Sequence, residues 1–488
     1  MAGESASQGM PTQRVLRGAT RLVLAQLICA PVSILVNAIG ARALGAAGFG
    51  LYYQAVTFAS FVFLFVEWGQ ASTLPGGAAT ERGAIGELLG SGLVLRLGAA
   101  AVACVAVPLV CILVGYDREF VAVLALTLLA GVFATVSSAC LDVLRGLERT
   151  DFVSWWYVGW QLLSAAVVVP TLLLGGGLRG MLIAQGACAA CGAVVVLRLL
   201  PRLHVPKLSV SWSFAQRLLR AGRPFVVFSL VLLLQPTVDA LMLSWFAPTE
   251  TMGWYAAARK LVGVLTYPAA ALVGALYPVL CRLRLESMDA FKVTTSQSLY
   301  AVTVVVVPLA LGCALFPDLG VALFGQRYYG PAEADLRLLA PFVFLVYFSM
   351  PISSCLVSSG RQTWWTVVQL GCVITSIALD PPLIRWFQGH GGNGGLGVCL
   401  TSDISEILMV IGGAWLLPDG VLRRLPRGKI LAVALSGLLM AAVAISLSAW
   451  NVVPRAIVSV LVYLVCLGLS GAGSFGQLRS LLTVLRQH

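Results

Sequence analysis

The chain has 488 residues, of which 59% are hydrophobic and only 11% charged, and its 32 Lys+Arg outnumber 20 Asp+Glu to give a formal charge of +12. A soluble globular chain carries roughly 25% charged residues, so this composition excludes a water-soluble fold and makes lipid the solvent for most of the exterior. It also argues against a nucleic-acid partner, because the basic residues lie in short gaps between apolar runs, where membrane topology accounts for them.

The first 13 residues are polar. The apolar run after Arg21 is too long for a signal-peptide core and lacks a convincing cleavage site, so it reads as the first spanning helix. A span needs about 20 mostly apolar residues. Fourteen are predicted: 22–41, 50–74, 88–114, 120–144, 155–175, 178–200, 224–246, 252–278, 297–317, 336–358, 363–384, 396–418, 429–448 and 456–476. The second contains Glu67 and the twelfth contains Asp403 and Glu406, which makes them the least apolar. The fold class is an all-α polytopic membrane protein. The longest connection, 201–223, is rich in Arg and too short for a soluble domain. "LPRGK" at 425–429 lacks the glycine a P-loop needs at 423, and no G-x-S-x-G elbow occurs.

With a cytoplasmic N-terminus, the alternate segments falling inside carry 22 Lys and Arg, from Arg14, Arg17 and Arg21 to Arg479 and Arg486, against seven outside. That bias predicts that both termini are cytoplasmic. Within it, 201–223 carries Arg202, Lys207, Arg217, Arg220 and Arg223.

Two stretches resemble each other. One starts at Thr20 and the other at Gly222; each holds a mid-span proline, Pro31 or Pro236, then crosses a small-residue loop and reopens with Gly-x-Tyr at Gly50–Tyr52 or Gly253–Tyr255. An even number of spans separates them, which predicts parallel repeats about an axis along the membrane normal. The predicted organisation is an N-terminal tail 1–21, an N-lobe 22–200, a basic inter-lobe loop 201–223, a C-lobe 224–418, and two added helices with a tail over 419–488. The prolines should bend their helices.

Charge within a span is costly and usually faces protein or water. Asp239 and Arg259 lie at similar depth in successive antiparallel spans and could meet; Lys260, one residue on, points elsewhere. Arg259 or Lys260 in a central cavity would attract an anion, and the plainer reading is a structural ion pair with a snorkelling Lys. Glu67 and Arg96 form a second candidate pair. Asp403 and Glu406 share a helix face and suit a cation or proton site, or else lie near the outer surface beside the loose "GHGGNGG" at 389–395. Asp142 and Arg145 make an i,i+3 pair at the inner interface or a gate, and Asp380 before Pro381–Pro382 reads as an outer helix end. Cys188 and Cys191, a C-x2-C in an apolar run without further ligands nearby, read as helix packing, and no metal site is expected. Trp155, Trp156, Trp160 and Tyr157, like Trp364 and Trp365, read as interfacial anchors.

Three motifs carry a resemblance to a family. "VSILVNAIGARALGAAGFGLYYQAVTFASFVFLFVEWGQAS" at 32–72, with Gly45, Gly48, Gly50, Tyr52 and Gly69, resembles the start of bacterial polysaccharide exporters of the multidrug/oligosaccharidyl-lipid/polysaccharide exporter superfamily; Trp68 stands where Phe is more usual. "TMGWYAAARKLVGVLTYPAAALVGALYPVLCR" at 251–282 is similar to their second-lobe signature, through Gly253, Tyr255, Ala258, Lys260 and Pro278. "LFGQRYYGPAEADLRLLAP" at 323–341 is similar to the stretch before their tenth span. The resemblance covers about residues 15–420.

It implies a V-shaped pair of six-helix lobes in a bacterial inner membrane. Such a protein flips undecaprenyl-diphosphate-linked oligosaccharide units from the cytoplasmic to the periplasmic leaflet, for lipopolysaccharide or exopolysaccharide synthesis. It is not an enzyme and has no cofactor; Na+ or H+ would be the coupling ion, and the polymerase machinery a partner beside the membrane lipids. Arg96, Arg259 and Lys260 would meet the diphosphate, while Glu67, Asp239, Asp403 and Glu406 would organise them or bind the ion. The alternatives are a cation-coupled multidrug exporter of the same fold and a polyprenyl-linked membrane glycosyltransferase. The topology is checked by membrane-impermeant labelling of single cysteines in a Cys-free background. Sites in 201–223 are expected to stay unlabelled in intact cells, and labelling there would reverse the orientation.

Overall fold

The computed structural model describes residues 11–472 except His204 and Tyr329; the expected tails at 1–10 and 473–488, with Arg479 and Arg486, lie outside them. Its seventeen described α-helices are α1 (Pro11–Glu67), α2 (Gln70–Thr80), α3 (Ile85–Val114), α4 (Arg118–Gly146), α5 (Thr150–Leu173), α6 (Gly177–Leu199), α7 (Trp212–Phe246), α8 (Thr249–Leu265), α9 (Tyr267–Glu286), α10 (Met288–Leu315), α11 (Pro317–Val321), α12 (Pro331–Leu338), α13 (Ala340–Ser358), α14 (Gln362–Gly391), α15 (Gly395–Leu416), α16 (Arg427–Ser446) and α17 (Val452–Leu469). Twelve helical segments among the described residues are long and apolar enough to cross a membrane, against fourteen expected. The first two expected spans form one apolar segment, Ile28–Thr80, of 53 residues. The seventh, inside α7, is not among the twelve, and the eighth is divided at Thr266 into α8 and α9.

The breaks fall at glycines and turns, and the helices run on through their prolines. Helix α1 continues past Pro31 and breaks at Gly45, whose φ of 71° and ψ of 177° lie outside the helical region. Helix α7 continues past Pro236. Helix α14 runs through Pro381 and Pro382 to Gly391, so Asp380 is a buried mid-helix residue and not a helix end. Two prolines remove two donors, and the helix still carries on either side of them.

By contact the chain divides into two compact units, Met1–Ala240 and Leu241–His488. In the first, one cluster gathers Leu74, Leu88, Leu89, Leu141, Val153, Val196 and Phe214, and another gathers Ala55, Cys111, Phe120, Leu124, Leu128 and Leu182. Each collects successive helix ends, as up-and-down helices require. In the second unit, Leu280, Phe291, Ile352, Cys355 and Trp365 form one core, while α16 and α17 pack on α10 through Val433, Met440 and Tyr463. The Tyr463 hydroxyl donates to the Val304 carbonyl at 2.7 Å. Large apolar side chains face outward, with Leu113 77% and Leu174 87% exposed, while Arg96, Asp239, Asp335 and Asp380 are fully buried. That inversion suits lipid as solvent. Among the expected anchors, Trp155 and Trp364 are exposed, but Trp365 is buried and closes over Gly413, and Trp156 stacks on Trp160 at 5.2 Å.

The expected loop 201–223 is a strap tied to α3. The Ser209 amide donates to the Gly86 carbonyl at 3.2 Å, and the Ser211 amide to Ser91 Oγ at 3.0 Å. Glycines at 86 and 90, one turn apart, let the backbones touch: a Cβ on Gly86 would lie 2.3 Å from the Lys207 carbonyl oxygen, and one on Gly90 2.2 Å from that of Ser209. Arg217 in the first turns of α7 pairs with Glu81 at 2.6 Å. Gly-to-Ala in a helix interior normally gains about 0.5–1 kcal/mol. Gly98→Ala in α3, where a Cβ meets nothing within 4 Å, should behave so. Gly90→Ala should instead lose about 1–3 kcal/mol by forcing the strap away, read as opposite shifts of the unfolding midpoint in detergent.

Candidate functional site

The first unit carries a continuous polar network built around Arg96. This guanidinium is completely buried in α3. Its Nε donates to Gln70 Oε1 at 3.0 Å, its Nη1 to Ser138 Oγ at 2.8 Å and the Thr135 carbonyl at 3.2 Å, and its Nη2 to Asp142 Oδ2 at 3.2 Å. Glu67 Oε1 stands 3.9 Å from Nη1, and Ser138 also reaches it at 3.4 Å. Arg145 donates to the other oxygen of Asp142 at 3.2 Å and to the Tyr157 hydroxyl. The two sequence-predicted pairs, Glu67 with Arg96 and Asp142 with Arg145, thus belong to one network tying α1, α2, α3, α4 and α5.

Local sequence explains the arrangement. Thr135, Ser138 and Asp142 fall at i, i+3 and i+7 on α4 and line one face. Glu67 ends α1 and Gln70 begins α2, so the break at Trp68 and Gly69, with φ of 46° and 70°, turns both side chains toward Arg96. Glu67 and Arg145 are each about one-third exposed. These two groups alone among the charged members offer themselves to solvent or ligand, whereas Arg96 has its donors occupied.

In the second unit Arg259 of α8 lies with its guanidinium 4.4 Å from the Phe342 ring centroid and acts electrostatically on both Asp403 and Glu406 of α15. Both acids are buried, and Glu406 accepts a hydrogen bond from Ser349 of α13. The cluster therefore joins three elements, and neither acid lies at a loose surface. Lys260 is half-buried on α8, while Asp239, buried on α7, belongs to the first unit. Beside the loop after α14, Asn393 donates to Asp335 Oδ1 at 2.9 Å and accepts from the Gly395 amide at 3.1 Å, while Asp335 Oδ2 has no partner.

Residue-level reading missed Gln70, Thr135, Ser138, Ser349 and the Asp335–Asn393 pair. Neutral polar residues in spans give no charge signal, but the i, i+3, i+7 spacing on α4 was available. Asn393 sat unnoticed in a glycine run. Among the described residues no group of three or more His, Cys, Asp or Glu could hold a metal ion.

Removing one partner of a buried ion pair typically costs about 3–5 kcal/mol, and removing both far less. Arg96→Met is therefore expected to lower stability by about that amount, with the R96M/D142L double variant recovering most of it. Thermal unfolding and yield of the purified protein read both.

Comparison with solved structures finds the same fold in proteins described as transporters. The lipid II flippase MurJ, in an inward closed conformation, matches with a TM-score of 0.73 at 13% identity, covering 92% of this chain and 98% of that one. An inward-facing multidrug resistance transporter of the MATE family of the MOP superfamily matches with a TM-score of 0.64 at 15% identity, covering 84% and 98%. A MOP superfamily transporter from Pyrococcus furiosus gives 0.58 at 15%, covering 86% and 96%. At such identities the likeness shows the shared fold. A search of curated proteins by sequence finds no match. The family profile described as polysaccharide biosynthesis protein matches residues 15–284, more than half of the chain and the part that holds the Arg96 network and Arg259. By that match the chain is a member of the polysaccharide biosynthesis protein family.

Proposed function

We propose that this protein is an alternating-access flippase for undecaprenyl-diphosphate-linked oligosaccharide units, carrying them from the cytoplasmic to the periplasmic leaflet of a bacterial inner membrane for surface polysaccharide synthesis. The observation that carries this reading is membership of a polysaccharide biosynthesis family in a chain with the fold of a lipid II flippase. Both termini are assigned to the cytoplasm from the loop charges. Helices 22–200 and 224–418 act as two lobes, with the last two spans added to them.

Arg259 is the basic group assigned to the diphosphate. An anionic head group away from bulk water needs a charge-assisted donor, and a guanidinium gives a bidentate one. Asp403 and Glu406 are assigned to ion coupling, because one guanidinium faces two buried carboxylates and a proton or Na+ would balance the second. The Arg96 network is assigned to holding the first unit in shape, with Glu67 and Arg145 at its accessible ends.

The MATE likeness supports a second reading, export of free organic cations. A leaflet-specific assay of lipid-linked glycan after depletion separates the two: the flippase leaves glycan on the cytoplasmic leaflet, and a drug exporter leaves its distribution unchanged. Arg259→Gln at normal abundance is expected to cut translocation by about tenfold or more, the loss of roughly one charge-assisted contact, and Arg259→Lys to retain part of it. If Arg259 served only to balance Asp239, R259Q/D239N would restore transport.

A further inference from the structure

A cavity of about 360 Å3 lies in the first unit where α1 turns into α2 beside α3 and the start of α7. Phe65, Trp68, Val94, Gly98, Leu219 and Gln70 line it. Its size is that of a small-ligand site. Its wall is apolar, and around it Phe65, Val94, Leu97 and Phe225 are exposed on the surface of the first unit. At Gly98 the space is open, since a Cβ there would meet no atom within 4 Å.

Gln70 is the polar exception, and it is only 1% exposed. Arg96 can only donate, so the Gln70 oxygen must face it and the amide nitrogen must face away. That nitrogen, Nε2, is buried without a partner. Room for the amide comes from Gly92, where a Cβ would stand 3.0 Å from Gln70 Oε1. A buried donor without an acceptor is unusual in a folded protein and points to an oxygen supplied from outside the chain. Positive charge stands close by. Arg223 is exposed four residues beyond Leu219, on the same face of α7, and Arg220 is exposed next to Leu219.

We propose that this cavity binds one anionic glycerophospholipid of the bilayer, with an acyl chain in the apolar slot, a head-group or ester oxygen accepting from Gln70 Nε2, and the negative charge beside Arg220 and Arg223. A bilayer lipid fits better than the transported carrier. The slot opens onto the exposed apolar face of the first unit, whereas the diphosphate is assigned to Arg259 of the second. Because one amide serves both the lipid and Arg96, occupancy completes the hydrogen bonding of the network and stiffens the break between α1 and α2.

Native mass spectrometry of the intact protein, titrated with phosphatidylglycerol, phosphatidylcholine or undecaprenyl phosphate, tests this without measuring transport, so its outcome is independent of the flippase reading. One phosphatidylglycerol is expected to bind about fivefold or more tightly than phosphatidylcholine. Gly98→Leu, which fills the slot, should abolish that preference, while Gly371→Leu, at an equally open position on α14, should keep it. Unchanged binding in G98L, equal binding of the two phospholipids, or a stronger binding of undecaprenyl phosphate that G98L removes would each overturn the proposal. If G98L is not recovered folded, G98C serves: phosphatidylglycerol should slow its alkylation by a membrane-permeant maleimide, and an unchanged rate would overturn the proposal equally.

Discussion

A buried guanidinium in a lipid-facing protein has no water to fall back on, and the first unit is arranged around that constraint. Arg96 spends its donors on Gln70, Ser138, Thr135 and Asp142 and stands near Glu67. These partners lie on both sides of one helix break. Glu67 is the last residue of α1 and Gln70 the first of α2, so a single planar group fixes the direction in which the chain leaves the break. A Lys could not do this, because the three donors on its single nitrogen cannot reach the four partners that the guanidinium fork spans. From the other side, the Trp68 indole donates to the Leu219 carbonyl at 3.0 Å, and a Cβ on Gly69 would lie 2.5 Å from the Gly222 carbonyl oxygen. The strap and the guanidinium hold the break between them.

The second unit meets the same constraint differently. Its buried acids are distributed over α12, α14 and α15; single neutral donors meet two of them, Asn393 for Asp335 and Ser349 for Glu406, and Arg259 acts on Asp403 and Glu406. Neutral donors leave carboxylates short of full compensation, as the bare oxygens of Asp335 and Asp403 record. A network with a guanidinium at its centre is rigid, whereas acids met by hydroxyl and amide groups can accept a proton or cation at modest structural cost. The chemistry of the two units is therefore unequal despite the repeated Gly-x-Tyr pattern.

What the sequence made legible follows from which signals it carries. Apolar run length located nearly every helix, since the bilayer forces that length. It gave fourteen spans against twelve candidates among the described residues, because the first two runs join in the segment Ile28–Thr80 across the kink at Gly45 and the run inside α7 is not among the twelve. Paired prolines at 381 and 382 suggested an end because they remove donors, yet packing carries α14 through them. Charged residues could be picked out one by one, and Glu67, Arg96, Asp142 and Arg145 share one site. Their joining required Ser138 and Gln70, which carry no charge and resemble any polar residue in a span. Trp365 looked like an anchor beside Trp364, and only the space left by Gly413 drew it into the core.

The two Gly-x-Tyr helices share one further property. Each is followed by a break, at Trp68–Gly69 in the first copy and at Thr266 in the second. A broken helix in lipid frees backbone carbonyls that must find donors, and in transporters these carbonyls often coordinate an ion. Here a carbonyl at the second break is already met by protein: the Tyr347 hydroxyl donates to Leu265 at 2.6 Å. The first break is closed by the close approach of Gly222 and by the Trp68 indole. At the second break an aromatic hydroxyl thus does the work that an ion or water would otherwise do, while at the first an indole ties the break to the Leu219 carbonyl of α7. The proposed ion coupling therefore rests on the buried carboxylates of α15 and not on the backbone of the broken helices.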